Sequence, residues 1–299
     1  MPPFCTIDVI FAKIYSSMHK AALVIVFGVL SLVGLIYLNS DGFFSGKSSQ
    51  KAQSVEIINR WDLPDILEEV SGISYMDNGK IACVQDEDGF IFIYDLESAS
   101  LKRKIKFASH GDYEGIALVG TTAYVLRSDG TLFEVSNFEN DLLKTIEYSF
   151  GFSENYDFEG LGYDQKNNRL LLGIKNETDD DFKSIYAFDL VTKRIINEPV
   201  YKIYFNHPVF EILDMKPSNK MLQPSEITIH PDNGKIFILE AVTPKLLILD
   251  SIGIPEKLYV FKKKQFCQAE GLTFGPSGEL FISNEGKGSS GNILSISLN

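Results

Sequence analysis

An acidic or hydroxyl-bearing residue recurs in this sequence just before a short apolar run. It is glutamate in YEGIAL, FEGLGY and AEGLTF, at Glu114, Glu159 and Glu270, and serine at Ser71 and Ser225. Carboxylates that a fold brings together form salt bridges, share protons or bind a divalent cation, according to the groups that face them. The neighbours of each glutamate therefore decide its chemistry.

Two of these glutamates have predicted basic partners. In an antiparallel hairpin the start of the first strand lies beside the end of the second strand. This rule pairs Glu114 with Arg127, and Glu159 with Lys175. We predict two salt bridges at one mouth of a central channel, and such bridges need no function beyond stability.

Like charges meet in the last repeat, where the same rule places Glu270 beside Glu285. That arrangement is unfavourable unless one carboxyl keeps its proton or a cation intervenes. Closure of the repeats into a ring would bring Asp86 and Glu87 to the same corner. Oxygen ligands without a His or Cys cluster favour calcium or magnesium, so this corner is a predicted cation site, with a solvated acidic rim as the alternative. Two other residues are binding candidates: Asn284 at the same corner, and His110, which precedes the strand that begins near Glu114 and for which a surface turn is the alternative.

These positions belong to an internal repeat of five copies, such as VSGISYMDNGKIACVQ from Val70 and PSEITIHPDNGKIFILE from Pro224. Each copy contains an apolar strand, a turn and a second apolar strand, and a third strand follows another turn. Asn78-Gly79 and Asn233-Gly234 are typical of two-residue hairpin turns with positive φ. The copies start about 45 residues apart, except before the fourth, a period expected of propeller blades.

The strand count predicts how the ring closes. Fourth strands are expected in four copies, at Leu101–Phe107, Leu142–Phe150, Tyr201–Phe205 and Lys257–Phe261. The fifth copy has no fourth strand of its own, and Val55–Trp61 can supply it, which pairs edges that would otherwise be exposed. We therefore predict an all-β five-bladed β-propeller of four-stranded blades, with an excursion loop at His207–Gln223. A degenerate sixth blade in that loop is the alternative.

An apolar segment without charges, Ala21–Leu38, is long enough to cross a bilayer as a helix. Lys13 and Lys20 precede it and Asp41 follows, so the positive-inside bias places the main domain outside the cytoplasm. A cleaved signal peptide is the alternative, but no small-residue cleavage site follows the run. The predicted organisation is a cytoplasmic N-terminus at 1–20, a single-pass signal anchor in a bacterial inner membrane at 21–38, a linker at 39–54 and an extracytoplasmic propeller at 55–299.

The composition narrows the function classes. Forty acidic and 28 basic residues give a net charge of −12, which repels phosphate backbones, so no nucleic-acid partner is expected. Gly286–Gly291 matches the GxGxxG pattern, but it joins two predicted strands and has no helix to place under a pyrophosphate. The sequence contains neither a GxSxG elbow nor an HExxH motif.

The EGI and EGL strand starts, the Asp-Gly turns before the third strands and the predicted anchor together resemble the SdiA-regulated (YjiK-like) family of membrane-anchored β-propellers. The resemblance covers Val55 to Asn299 and implies fold and location rather than chemistry. Two functions stay open. One is a binding or scaffold module for an unknown small ligand or protein partner, favoured because no catalytic set is visible. The other is a divalent-cation-dependent hydrolase, either a lactonase or a phosphoesterase.

Overall fold

The structure is a computed structural model that describes residues 53–140, 142–151, 156–176 and 181–299. The predicted anchor at 21–38 lies outside the described residues, as does most of the predicted linker. Within these ranges, no helix is long and apolar enough to cross a membrane.

The described strands form five four-stranded antiparallel sheets, which are the blades. The first strand named below in each blade is the innermost, and the innermost strands of neighbouring blades contact one another. The first blade contains β2 Val70–Met76, β3 Lys80–Gln85, β4 Asp88–Asp95 and β5 Ser100–His110. The second contains β6 Tyr113–Val119, β7 Thr122–Arg127, β8 Leu132–Ser136 and β9 Lys144–Tyr148. The third contains β10 Asp157–Asp164, β11 Arg169–Asn176, β12 Phe182–Asp189 and β13 Arg194–Tyr204. The fourth contains β14 Glu226–Ile229, β15 Ile236–Glu240, β16 Lys245–Leu249 and β17 Pro255–Val260. The fifth contains β18 Ala269–Phe274, β19 Leu280–Asn284, β20 Asn292–Leu298 and β1 Val55–Asp62.

Strands from both ends of the domain close the ring, as predicted. β1 pairs antiparallel with β20, from Val55 opposite Leu298 to Asp62 opposite Asn292. The excursion at 207–223 contains two short 3-10 helices, Pro208–Leu213 and Asn219–Met221, and no strand. The five-bladed prediction is therefore confirmed, and the sixth-blade alternative is wrong.

Three further 3-10 turns connect elements of the described chain, at Asp65–Leu67, Asp77–Gly79 and Gln165–Asn167. Asn78 and Gly79 have φ of 62° and 71°, the left-handed geometry predicted for their hairpin. At the second predicted turn, Asn233-Gly234, only Gly234 has positive φ. The loop there is longer than two residues, and it is closed by a hydrogen bond that the Gly234 N–H donates to the His230 carbonyl. Gly286–Gly291 connects β19 to β20 as a loop.

Each pair of neighbouring blades encloses one apolar cluster. Successive side chains of a strand point to opposite faces of its sheet, so each strand contributes to two clusters. In β3, Ala82 and Val84 enter the cluster shared with the second blade, while Ile81 and Cys83 enter the cluster shared with the fifth. The core therefore consists of five layers around the channel, and loss of one blade would expose two of them.

The innermost strands approach one another closely around the channel. A Cβ atom at Gly72 would lie 2.8 Å from Gly115 Cα, and one at Gly115 would lie 2.8 Å from Leu161 Cβ of the third blade. These distances are shorter than van der Waals contact, so a residue without a side chain is required. Two further blades have glycine at the same position: Gly160 and Gly271.

We predict that Gly72→Ala lowers the free energy of unfolding by about 1–3 kcal/mol, because the added methyl group would press on backbone atoms of β6. Gly275→Ala is the matched control. Its nearest contact is a carboxylate oxygen of Glu279 at 2.7 Å, at the end of a flexible side chain, so a loss below about 1 kcal/mol is expected. Equilibrium denaturation measures both, and equal losses would contradict a special constraint at the channel.

Candidate functional site

The repeated acidic position lies in a β-bulge in three of the five blades. The register of the innermost strand shifts between Tyr113 and Gly115, around Glu159, and between Ala269 and Gly271. The first blade has a similar shift that includes Ser71. A bulge sets two residues opposite one and re-aims the extra side chain, and bulges are common beside functional sites.

This bulge makes the predicted bridge between Glu114 and Arg127 wrong. Arg127 lies opposite Tyr113, because Glu114 is the extra residue of the bulge. Arg127 Nη2 instead donates to Asp129 Oδ2 at 2.8 Å. Glu114 faces other acids: burial raises its pKa to about 10, and the carboxylates of Glu159 and Asp112 add to the shift.

The structure does bring Glu159 and Lys175 together as an ion pair from Lys175 Nζ to Glu159 Oε1. Glu159 is 3% exposed, and burial raises its pKa to about 7 although the Lys175 ammonium opposes the shift. The second oxygen, Glu159 Oε2, is buried and has no hydrogen-bond partner among the described residues. Loss of water therefore outweighs the ion pair at this carboxyl.

Reasoning from the sequence missed Glu226. It occupies the position that is glycine in the other four repeats, and it is 1% exposed. Glu226 Oε1 accepts hydrogen bonds from the N–H groups of Leu161 at 2.6 Å and Ile227 at 2.9 Å. Within the described chain Glu226 Oε2 has no partner. Burial raises the Glu226 pKa well above its usual value, and Glu270 and Glu159 add to the shift.

Two carboxyls of the predicted acidic corner have raised pKa values. Burial raises the pKa of Glu270 to about 8, and the nearby charges of Glu159 and Glu285 add to it. Burial also raises the pKa of Asp86 to about 7, with contributions from Glu69, Glu285 and the exposed Glu87. Across the described ranges, no group of three or more His, Cys, Asp or Glu side chains is placed to hold a metal ion. The calcium or magnesium site therefore stays a prediction.

The two other binding candidates occupy different environments. Asn284 is 1% exposed, and its Nδ2 donates to Asn292 Oδ1 at 3.0 Å, while Asn284 Oδ1 is buried without a partner in the described structure. His110 is at the surface, with Nδ1 2.7 Å from Asp88 Oδ1 and its side chain 89% exposed. Asn284 thus stays a candidate, and His110 has the surface position that was its alternative.

A cavity of about 1050 Å³ lies at the other end of the channel. Its walls include the residue that follows the repeated glycine, or Glu226 in the fourth blade, in each innermost strand. Polar side chains farther along these strands and just beyond them also line it, such as Tyr75, Thr228, His230 and Thr273. Sequence reasoning did not anticipate this cavity, because it arises from the spacing of blades rather than from any one repeat.

The model of a family described as SdiA-regulated matches residues 48–287 of the chain. No curated protein gives a significant match. Many solved structures share the fold. Myxococcus xanthus glutaminyl cyclase is 16% identical with a TM-score of 0.57, and the alignment covers 83% of this chain and 97% of that one. A Bacteroides thetaiotaomicron protein of unknown function is 9% identical with a TM-score of 0.52, over 82% and 76% of the two chains. The PQQ-bound aldose sugar dehydrogenase of Streptomyces coelicolor is 13% identical with a TM-score of 0.50, over 83% and 98%. At these identities the similarity shows the propeller fold alone.

The raised pKa values predict how stability depends on pH. Glu270 has an ordinary pKa of 4.5 and a folded pKa of about 8, so between these values the folded state holds a proton that the unfolded state releases. The free energy of unfolding must then fall as pH rises through this window. Glu270→Gln removes this proton and should flatten the slope by up to about 1.4 kcal/mol per pH unit.

Equilibrium unfolding at pH 5, 6, 7 and 8 measures these slopes. Glu97→Gln, at an exposed turn between β4 and β5, is the matched control and should keep the wild-type slope. Equal slopes for wild type and Glu270→Gln would show that this carboxyl is ionised in the folded protein.

Proposed function

The chain belongs to the SdiA-regulated family, and we propose that it is a membrane-anchored extracytoplasmic propeller that binds a positively charged ligand at the acidic end of its channel. One observation carries the proposal: Glu159 Oε2 and Glu226 Oε2 are buried and have no hydrogen-bond donor within the described residues. A buried polar atom without a partner is unfavourable by about 1–3 kcal/mol, and native structures contain few of them. A ligand that donates hydrogen bonds would remove this penalty.

The charges around the channel mouth favour a cation. Asp86, Asp112, Asp157 and Glu285 interact electrostatically with the buried glutamates or with one another. A cleft lined by one sign of charge concentrates ions of the opposite sign and speeds their association. Lys175 is already paired with Glu159. Lys175 and Lys287 lower the pKa of Glu270, but burial and the neighbouring carboxylates still raise it to about 8.

A panel of cations tests the binding proposal on the full-length protein in mild detergent at constant ionic strength. Calcium, magnesium, guanidinium and n-butylammonium represent the classes. At about 100 times Kd, the ligand class that binds should raise Tm by about 5–10 °C. Glu270→Gln should reduce the shift and Glu97→Gln should keep it. Failure of every class to shift Tm would overturn the proposal.

The hydrolase alternative requires a divalent cation held by Glu270, Glu285 and Asp86. Glu285 interacts electrostatically with both Asp86 and Glu270, but in the described residues these carboxyls are not grouped closely enough to hold a metal ion. A bound calcium ion could polarise a substrate oxygen while a neighbouring carboxylate acts as base. A Tm shift confined to calcium or magnesium and lost in Glu270→Gln would support this alternative.

The proposed location rests on Ala21–Leu38, whose length and lack of charge fit a membrane-spanning helix. In a bacterial host, the full-length protein should stay in the membrane pellet after an alkaline carbonate wash. A variant without residues 21–38 should be released. Protease added to spheroplasts should digest the full-length domain if it faces outwards. Carbonate release of the full-length protein, or protection from protease, would contradict the predicted anchor or its orientation respectively.

A further inference from the structure

We infer that the ligand of this channel is a primary alkylammonium group, held between Glu159 and Glu226 with Glu270 beside them. The inference rests on the proposed function, because it names the chemical class of the cation bound at the same end of the channel. It also assigns a role to Glu226, which occupies the position that is glycine in the other four repeats.

The two free oxygens belong to one blade junction. Glu226 packs against the strand that carries Glu159, since Leu161 donates its N–H to Glu226 Oε1 and a Cβ at Gly160 would lie 3.0 Å from Ile227 N. Glu226 Oε1 is therefore held by two backbone donors, and Glu159 Oε1 is held by Lys175. The Oε2 atoms of both residues are buried and have no partner in the described chain.

Glutamate at this position breaks the pattern of the fold. Four blades use glycine here because the next strand is too close for a side chain. The fourth blade instead accepts a carboxyl in a fully buried site, where desolvation disfavours its charge. Departures from a local structural rule that bring no stability concentrate at functional sites.

A primary ammonium group is complementary to the polar atoms that remain unpaired. It carries one positive charge and three N–H donors, and Glu159, Glu226 and Glu270 interact electrostatically with one another. Lys175 already shows an ammonium bound to Glu159. Calcium takes about six to eight oxygen ligands, whereas one oxygen each of Glu159 and Glu226 is already occupied. A quaternary ammonium has no N–H to donate.

Binding should exchange protons for the ligand. Glu270 and Glu159 have pKa values of about 8 and about 7, so both are partly protonated near neutral pH and must ionise to hold a cation. The ammonium keeps its own proton up to about pH 10. Affinity should then rise with pH. The charged groups that face these carboxyls from the surrounding strands and loops also set the midpoint: Asp112, Glu114, Asp157, Lys175, Glu285 and Lys287.

The test is calorimetric titration of the full-length protein in mild detergent with n-butylammonium. We expect binding that is at least tenfold tighter at pH 8.5 than at pH 6.5. Because protons are released, the measured binding enthalpy should change with the ionisation enthalpy of the buffer. Tetramethylammonium should not bind. Glu226→Gln should weaken butylammonium binding at least tenfold, and Glu97→Gln should leave it unchanged.

Glu226→Gly is a second variant, which restores the residue of the other four blades and should fold and lose binding. Two further probes distinguish the source of the ammonium group: 1,4-diaminobutane represents free amines, and tetraglycine with its N-acetylated counterpart represents peptide amino termini. Tighter binding of 1,4-diaminobutane than of tetraglycine supports the inference and identifies a free amine as the source. Tighter binding of tetraglycine than of both 1,4-diaminobutane and the N-acetylated peptide supports the inference and identifies a peptide amino terminus.

Binding of calcium but not butylammonium would overturn this inference and leave the proposed function standing. Binding of butylammonium that both Glu226 variants retain would overturn the assigned site. No binding of any cation would overturn both.

Discussion

Close approach of five innermost strands around one axis is the constraint from which the site follows. The ring leaves no room for a side chain at Gly72, Gly115, Gly160 and Gly271, where an added Cβ would meet the next strand at 3.0 Å or less. In the same four blades, a β-bulge takes the residue before the glycine out of the regular pairing between the first and second strands. The displaced residues include three glutamates that raise one another's pKa values; Glu159 and Glu270 are buried, and Glu114 is partly buried.

Desolvation dominates the electrostatics of this ring. At Glu159, an ion pair with Lys175 does not hold the pKa down, because burial raises it further than the ammonium lowers it. Glu114 and Glu270 have no such partner within the described chain, and each carboxyl makes ionisation of its neighbours less favourable. The ring thus tolerates its carboxyls by keeping protons on some of them. A site of this kind changes its charge near neutral pH, and a cation that enters it replaces protons rather than filling an empty negative pocket.

The sequence was sufficient for the fold because the information was periodic. Five hairpins of similar length, an unpaired strand at Val55–Trp61 and a missing last strand left ring closure as the consistent solution. The pair of Glu159 with Lys175 was predictable for the same reason. The pair of Glu114 with Arg127 was not, because Arg127 lies opposite Tyr113 and pairs instead with Asp129 in the turn that follows it. Glu226 was visible as a departure from glycine, but its significance depends on a hydrogen bond from Leu161 and on the nearby charge of Glu159, both in the preceding blade.

The decisive measurement is a crystal structure of the protein soaked with an alkyl diamine at pH 8.5. We expect a nitrogen about 2.7–3.0 Å from both Glu159 Oε2 and Glu226 Oε2, the distance of a charge-assisted hydrogen bond. Diamine bound in the cavity at the opposite end of the channel, or ordered water alone between the two glutamates, would contradict the assignment of an ammonium group to this ring.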